Sequence, residues 1–453
     1  MPVTRYESAE VDREPLGRPL TFAFSKRTAK NRLMKAAMEE RLGTWDEKIL
    51  EKRGLPTKEL IELYRRWGEQ QNGWGIIVTG NIITDYIHVA GSGDPIITPD
   101  SPFVGARFES FKALAAAAKA QGSLVIGQVN HPGRQVREMY CKEPISASAI
   151  PLPPLFDGSW TFGMPRAATE ADISSIITGF AHAAQYLEQA GFDGVNLHAA
   201  HGYLLAQFLS PRTNKRTDAY GGTLTNRMRL IVEVVREIRR RVSPSFIVSA
   251  KLNSTDFQED GFQPSDAREL VRVLQDDMQL DFVELSGGTY EHLGLEWTKE
   301  STRQREAFFL EFAEMIVPVL GAERKMKVFI TGGLRSVGAM VKALDVVDGV
   351  GLARPAAQEP RLAADMLEGR VDGAIRPIPP FDNSSGLGIL VAGMHIRQVA
   401  YGMEPFDSSD SGAVEALWEV INGSAKTDED NSGDIEVVGF PEWSGKSKSY
   451  GIV

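Results

Sequence analysis

The stretch Gly191-Phe-Asp-Gly-Val-Asn-Leu-His198-Ala-Ala-His201-Gly-Tyr203, running on through Arg212, Asn214, Arg216 and Asp218 to Tyr220-Gly221-Gly222, sets the frame for the whole chain. Residues 194–197 read as a short buried strand that enters a loop carrying His198, His201 and Tyr203, before apolar periodicity resumes at Leu204, Leu205 and Phe208. Three hydrogen-bonding or titratable groups thus gather at the C-terminal end of a strand. In parallel α/β proteins that end carries the chemistry, because its loops vary while the strands hold their roots. The polar run that follows reads as the floor and wall of the same site.

Working outward, short apolar runs ending in Gly, Asn or His alternate with helix-like segments. The expected strands are Leu33–Met38, Gly75–Asn81, Leu124–Asn130, Gly194–His198, Phe246–Asn253, Asp281–Gly287, Lys327–Gly332 and Gly349–Arg354. Amphipathic stretches separate them, among them Lys58–Gln71, Glu170–Ala190, Thr225–Val242 and Gln304–Leu320. Strand-then-helix units repeated in this way predict an α/β fold, a (β/α)8 TIM barrel with a C-terminal extension. A doubly wound sheet is the competing architecture, but it would usually carry an early Gly-x-Gly-x-x-Gly after a strand. The division expected is a polar N-terminal lead-in over 1–30, the barrel over 31–369, and an extension over 370–453 packed on the barrel. In the extension only Ala413–Ile421 reads as a helix, and Ser424–Asp434 reads as a polar, acidic loop.

Composition narrows the function. A net charge of −10 and a pI near 5.4 argue against nucleic acid or an anionic membrane as partner. With one cysteine, Cys141, the chain can build no intrachain disulfide, thiolate zinc site or iron–sulfur cluster. No apolar span or leader is evident, so a cytoplasmic enzyme is expected, with no metal and an undetermined oligomeric state.

Three groups of residues can carry chemistry. Thr331-Gly332-Gly333 and Gly351-Leu-Ala353-Arg354 close strands seven and eight, where barrels often seat a phosphate on glycine backbone N–H groups, and Arg354 would add a guanidinium fork. Lys251 ends an apolar strand and needs an anionic partner. A Schiff base, a place against a flavin ring and a structural salt bridge all satisfy that need. His198 and His201 suit carbonyl polarisation or metal binding, with Tyr203 as proton source.

These residues resemble a known family. Asn31-Arg-Leu-Met-Lys-Ala-Ala-Met38, Gly127-Gln-Val-Asn-His-Pro-Gly-Arg-Gln135, Gly191–Arg227, Lys251-Leu-Asn253, Phe329-Ile-Thr-Gly-Gly333 and Gly351-Leu-Ala-Arg-Pro355 together resemble the old yellow enzymes, FMN-dependent NAD(P)H oxidoreductases with a (β/α)8 barrel. The resemblance implies that Ala37, Met38, Glu39, Gly80, Gln128 and Lys251 line the flavin, with Gln128 on its pyrimidine edge and Lys251 near N1. Gly332, Gly333, Ala353 and Arg354 would hold its phosphate. It further implies that His198 and His201 anchor the carbonyl of a small-molecule α,β-unsaturated substrate, which is reduced by hydride from the flavin and protonated by Tyr203.

Two positions depart from the family pattern. Glu39 stands where a small hydroxyl or thiol residue usually meets the flavin C4 carbonyl, and a carboxylate there would disfavour reduced flavin. Ala353 stands where glycine is more usual. Two alternatives stay in view, a Schiff-base aldolase or lyase at Lys251 and a flavin-binding barrel with isomerase-like activity. The segment Tyr140–Gly163, with Pro151-Leu-Pro-Pro154, Phe156, Trp160 and Phe162, reads as either a lid or a packed flap.

Overall fold

Eight parallel strands close on themselves, each beside its neighbours in sequence. They are β1 (Leu33–Lys35), β2 (Ile76–Ile83), β3 (Leu124–Asn130), β4 (Gly194–Ala199), β5 (Ile247–Asn253), β6 (Phe282–Ser286), β7 (Lys327–Thr331) and β8 (Gly349–Leu352). The ladder from Val350 to Leu33 joins β8 to β1 and removes both sheet edges. In the computed structural model, residues 3–155, 158–256, 258, 260–291, 310–379, 381–382, 384–430 and 438–451 are described.

Alternation along the strands sorts side chains into two layers. Ile77, Val125, Val195, Val248, Val283 and Val328 face the surrounding helices and share one large core with them. Ile76, Leu124, Ile247, Phe282 and Phe329 point the other way, into the barrel's N-terminal half. That inner cluster also contains Leu20, Phe22 and Ala29. They come from a two-stranded hairpin, Leu20–Thr21 with Thr28–Ala29, in which Phe22 stacks on Phe282 at 5.6 Å. Residues 20–29, read from sequence as lead-in, thus plug the barrel floor, because the open N-terminal end of an apolar interior has to be covered.

The helices follow the expected alternation. Glu170–Gln189 starts with a full capping box between Thr169 and Asp172. The stretch expected as one helix from Thr225 is broken at Met228 into Leu224–Arg227 and Arg229–Arg241. Of the expected Gln304–Leu320 helix, Leu310–Ile316 and a 3-10 turn over Val317–Leu320 are seen, and the remainder lies outside the described residues.

The C-terminal extension needs two corrections. Ser385–Ala400 is a helix that the sequence reading missed, packed against Lys58–Gly68 and Arg354–Gln358. Its glycines lower helix propensity and blur the pattern, yet two of them are required by packing. A Cβ on Gly388 would overlap the Arg354 guanidinium, and one on Gly393 would overlap the Phe440 ring. The second helix runs over Gly412–Asp430, well into the expected polar loop. Ala425, Lys426 and Glu429 are good helix formers, so the polar stretch continues the helix. Among the described residues no helix is long and apolar enough to cross a membrane.

Candidate active site

The strand register builds the site. Inward positions become polar toward the C-terminal mouth, and pairing places His198 beside Lys251, Lys251 beside Glu284, and Gln128 beside Asn196. Gln128 Nε2 donates to Asn196 Oδ1 at 3.0 Å, and Asn196 Nδ2 donates to Ser249 Oγ at 3.1 Å. Lys251 Nζ lies 3.0 Å from Glu284 Oε1, with both side chains buried. The structural salt bridge is therefore the arrangement seen for this lysine, and Glu284 occupies the amine that a Schiff base would use.

His198 and His201 meet each other. Their Nε2 and Nδ1 atoms are 3.1 Å apart, His198 Nδ1 is 3.3 Å from Asn81 Oδ1, and His201 Nε2 is 2.9 Å from Ser286 Oγ. Asn81 Oδ1 also accepts from Asn130 Nδ2 at 3.1 Å, so it presents an acceptor to His198. One tautomer set satisfies every contact: His198 protonated on Nδ1, His201 donating from Nδ1 to His198, and Ser286 donating to His201. Both rings are neutral. Burial, then the charges of His201 and Lys251, hold His198 well below the usual range, and burial followed by Lys251 takes His201 down to about 3.

His201 sits at φ 57°, a left-handed conformation unusual for a side chain of this size. Its N–H donates to Asn253 Oδ1 at 3.0 Å, and a bridge to Thr289 ties it to the loop after β6. That bridge brings Tyr290 to Tyr203, hydroxyl to hydroxyl at 2.9 Å, while the Tyr203 ring lies 4.5 Å from His198. Burial above all, then Tyr290 and Glu39, raises the Tyr203 phenol well above its ordinary range, so it is protonated. Phe162, from the segment read as lid or flap, approaches Tyr290 with ring centroids 6.4 Å apart. Phe156 of that segment lies outside the described residues.

The residues after β1 divide differently from expectation. Ala37 packs on the inner cluster and Met38 on the outer core. Glu39 pairs with Arg41 at 3.3 Å, which offsets its charge, and is close enough to Tyr203 and Tyr290 to influence both. Its neighbour Glu40 is the buried carboxylate. Glu40 accepts from Gly80 N–H at 2.8 Å and from the Tyr64 hydroxyl, and Lys35 Nζ lies 3.9 Å away. Gly80 has no room for a side chain because the Glu40 carboxylate and the Met38 carbonyl fill that space.

At the other side of the mouth, Gly332 and Gly333 follow β7 at φ 127° and 86°, conformations that glycine alone adopts freely. β7 and β8 pair directly, so Ala353 and Arg354 lie at the same end. Ala353 has φ −102°, and the alanine causes no left-handed strain. Arg354 lines a cavity with Arg335, Gln358, His395 and Ser408. Burial followed by repulsion from Arg335 lowers Arg354 to about 10, against a smaller attraction from Asp382, which also lines the cavity. A largely desolvated guanidinium that shares its cavity with a second cation, Arg335, and with the Asp382 carboxylate, at the barrel end where Gly332 and Gly333 lie, fits the phosphate of FMN.

The model of the NADH:flavin oxidoreductase / NADH oxidase family matches residues 15–372. The chain belongs to this family. The resemblance to old yellow enzymes is borne out, and FMN and a nicotinamide are the cofactors that membership brings. A protein described as NADH-dependent flavin oxidoreductase nadA, from Aspergillus parasiticus, is 49% identical over 92% of this chain and 92% of its own length. An old yellow enzyme homologue from Zymomonas mobilis shares the fold, with TM-score 0.64 and 22% identity over 82% of this chain and 98% of the other. A 2-naphthoyl-CoA reductase superposes with TM-score 0.68 and 24% identity over 79% of this chain, which spans 53% of that longer protein. Membership in an oxidoreductase family sets aside the aldolase alternative at Lys251.

Sequence reasoning missed Tyr290, Glu284 and Asn81 as parts of the site. Asn81 and Ser286 were visible as strand ends but carried no role. Tyr290 lies four residues beyond Ser286, and only the pairing of His201 with Thr289 brings it in. His292 lies outside the described residues.

Proposed function

We propose that the protein reduces the C=C bond of α,β-unsaturated carbonyl compounds with electrons drawn from NADH. The observation that carries this reading is a neutral histidine pair in contact with a phenol kept protonated by burial. Such a set offers hydrogen-bond donors to a carbonyl oxygen and a proton to carbon, the two needs of conjugate reduction. NADH as donor is supported by the description of the Aspergillus parasiticus relative.

Bound FMN would supply hydride transfer between the nicotinamide and the alkene. Gln128 and Lys251 would hold its ring edge, and Gly332, Gly333, Ala353 and Arg354 its phosphate. A carbonyl oxygen entering the site replaces the bond between the two imidazoles and accepts from His201 Nδ1–H. His198 adds a second donor when Asn81 turns its amide to present Nδ2 to the ring, which leaves the proton on Nε2. Charge grows on that oxygen as the bond is reduced, so these contacts strengthen in the transition state. Tyr203 protonates the α-carbon, and Tyr290, 2.9 Å away, returns a proton to it.

The test separates the two half-reactions in anaerobic stopped flow. Tyr203→Phe is expected to keep flavin bleaching by NADH near the wild-type rate and to slow reoxidation by 2-cyclohexenone about 100-fold or more. Equal slowing of both would remove Tyr203 as proton donor. A reduced enzyme that oxygen reoxidises and that no enone or enal touches would replace this reading with an NADH oxidase.

A further inference from the structure

Two buried lysine–glutamate pairs differ in how they are held. Lys35 Nζ donates to the Val78 carbonyl at 2.9 Å, lies 4.0 Å from the centre of the Trp67 ring and is 3.9 Å from Glu40 Oε1. Glu40 in turn accepts from Gly80 N–H at 2.8 Å and from the Tyr64 hydroxyl. Hydrogen bonds and charge are both answered there. Glu284 is as deeply buried, yet among the described residues no group donates a hydrogen bond to either of its oxygens. What meets it is the Lys251 ammonium, 3.0 Å from Oε1.

Strand register fixes this pair. Lys251 stands on β5 between His198 of β4 and Glu284 of β6. The ammonium thus has a mouth histidine on one flank and an otherwise unanswered carboxylate on the other. Lys251 keeps 6% of its side-chain surface and Glu284 keeps 0%, so a ligand can touch the lysine and cannot touch the glutamate. A carboxylate without hydrogen bonds is costly to bury, and an apolar residue in its place would serve stability as well. The effect of Glu284 therefore lies in what it does to the charge that Lys251 presents.

We propose that Glu284 is a positioning residue for the cofactor: by holding the Lys251 ammonium and opposing its field, it keeps the reduction potential of the bound flavin below the value a lone ammonium would set. The inference rests on the reading that places Lys251 at the edge of the flavin ring. Hydride from NADH brings two electrons and one proton to the ring, releases NAD⁺ and leaves one negative charge on the pyrimidine edge. A free cation beside that edge stabilises the reduced ring. A cation paired at 3.0 Å does so less, because ammonium and carboxylate act on the ring with opposite signs. The reduced flavin is then the readier hydride donor.

The experiment measures the two-electron potential of the holoenzyme at pH 7 by anaerobic, dye-equilibrated reduction, in wild type, Glu284→Gln and the double variant Glu284→Gln/Lys251→Gln. A merely structural role for the pair would not move this quantity in opposite directions. Glu284→Gln is expected to favour reduced over oxidised flavin by about 10-fold, an upward shift of about 30 mV. The double variant should fall back to the wild-type value or below it. A Glu284→Gln potential equal to or below wild type, with the double variant lower still, overturns the inference and leaves Lys251 at the flavin. A double variant equal to Glu284→Gln removes Lys251 from the ring edge, and the inference falls with that placement. Should Glu284→Gln fail to fold or to hold FMN, Glu284→Asp draws the carboxylate back by one methylene and should shift the potential upward by a smaller amount. An unchanged potential there overturns the proposal equally.

Discussion

Replacing Arg354 by methionine should weaken FMN binding and leave the apoprotein no less stable, a combination that tests the phosphate assignment directly. Arg354 lies near a second cation, Arg335, whose repulsion exceeds the attraction from Asp382 in the same cavity. Removing its charge therefore relieves repulsion and desolvation, while methionine keeps most of the apolar stem against Val391 and Ala392 in the cavity wall. Unfolding of the apoprotein should stay within about 1 kcal/mol of wild type, or shift above it. Charge-assisted hydrogen bonds contribute about 1.5–3 kcal/mol each. Two of them to a phosphate amount to roughly 3–6 kcal/mol, which is about 100- to 10,000-fold in Kd. Riboflavin lacks the phosphate and should lose little. The assay is quenching of flavin fluorescence on titration into apoprotein, with FMN and riboflavin in parallel. Equal losses for the two ligands, or an FMN affinity that does not change, would refute the reasoning.

Other outcomes follow from the same geometry. Gly388→Ala should favour the helix by about 0.8–1 kcal/mol in propensity, yet weaken FMN binding about 10-fold by displacing the Arg354 guanidinium; thermal melts and the same titration read the two signs. Lys251→Met strands Glu284 in the barrel interior and should cost about 3–5 kcal/mol in urea unfolding, whereas the double replacement of Lys251 and Glu284 by methionine should recover most of it; additive losses would deny the pairing. Acid should unfold the protein early. His131, His201 and His395 are each depressed to about 3, so their neutral forms stabilise the fold fully above the unfolded value of about 6.5. Below that pH the unfolded chain binds the extra protons, and stability falls by about 1.4 kcal/mol per unit for each histidine until the folded values are reached. His88 has the opposite sign: its contribution is complete below about 6.5 and disappears as pH rises through about 9. Unfolding midpoints that stay flat from pH 6.5 to 4.5 would contradict the buried, neutral histidines.

Strands were legible because β2, β3, β4 and β5 are buried on both faces and read as apolar runs with polar ends, a pattern independent of their partners. The floor hairpin was not, since two-residue strands carry too little alternation to register against a polar background. Glu39 and Glu40 show a finer limit. Two adjacent glutamates look alike in sequence, and it is the bonds from Gly80 and Tyr64 that select Glu40 for burial while Arg41 keeps Glu39 nearer the mouth.

The sequence by itself determined the barrel, its strand order and which polar residues end the strands, because a side-chain period of two and turn-forming strand ends are local properties. It also carried the family motifs that name the cofactor. Only the tertiary structure decided that Lys251 pairs with Glu284, that His198 and His201 bond to each other, and that Tyr290 joins Tyr203. Each of these depends on register between strands or loops far apart in the chain. Register is fixed by closure of the whole sheet, a condition that no single segment contains.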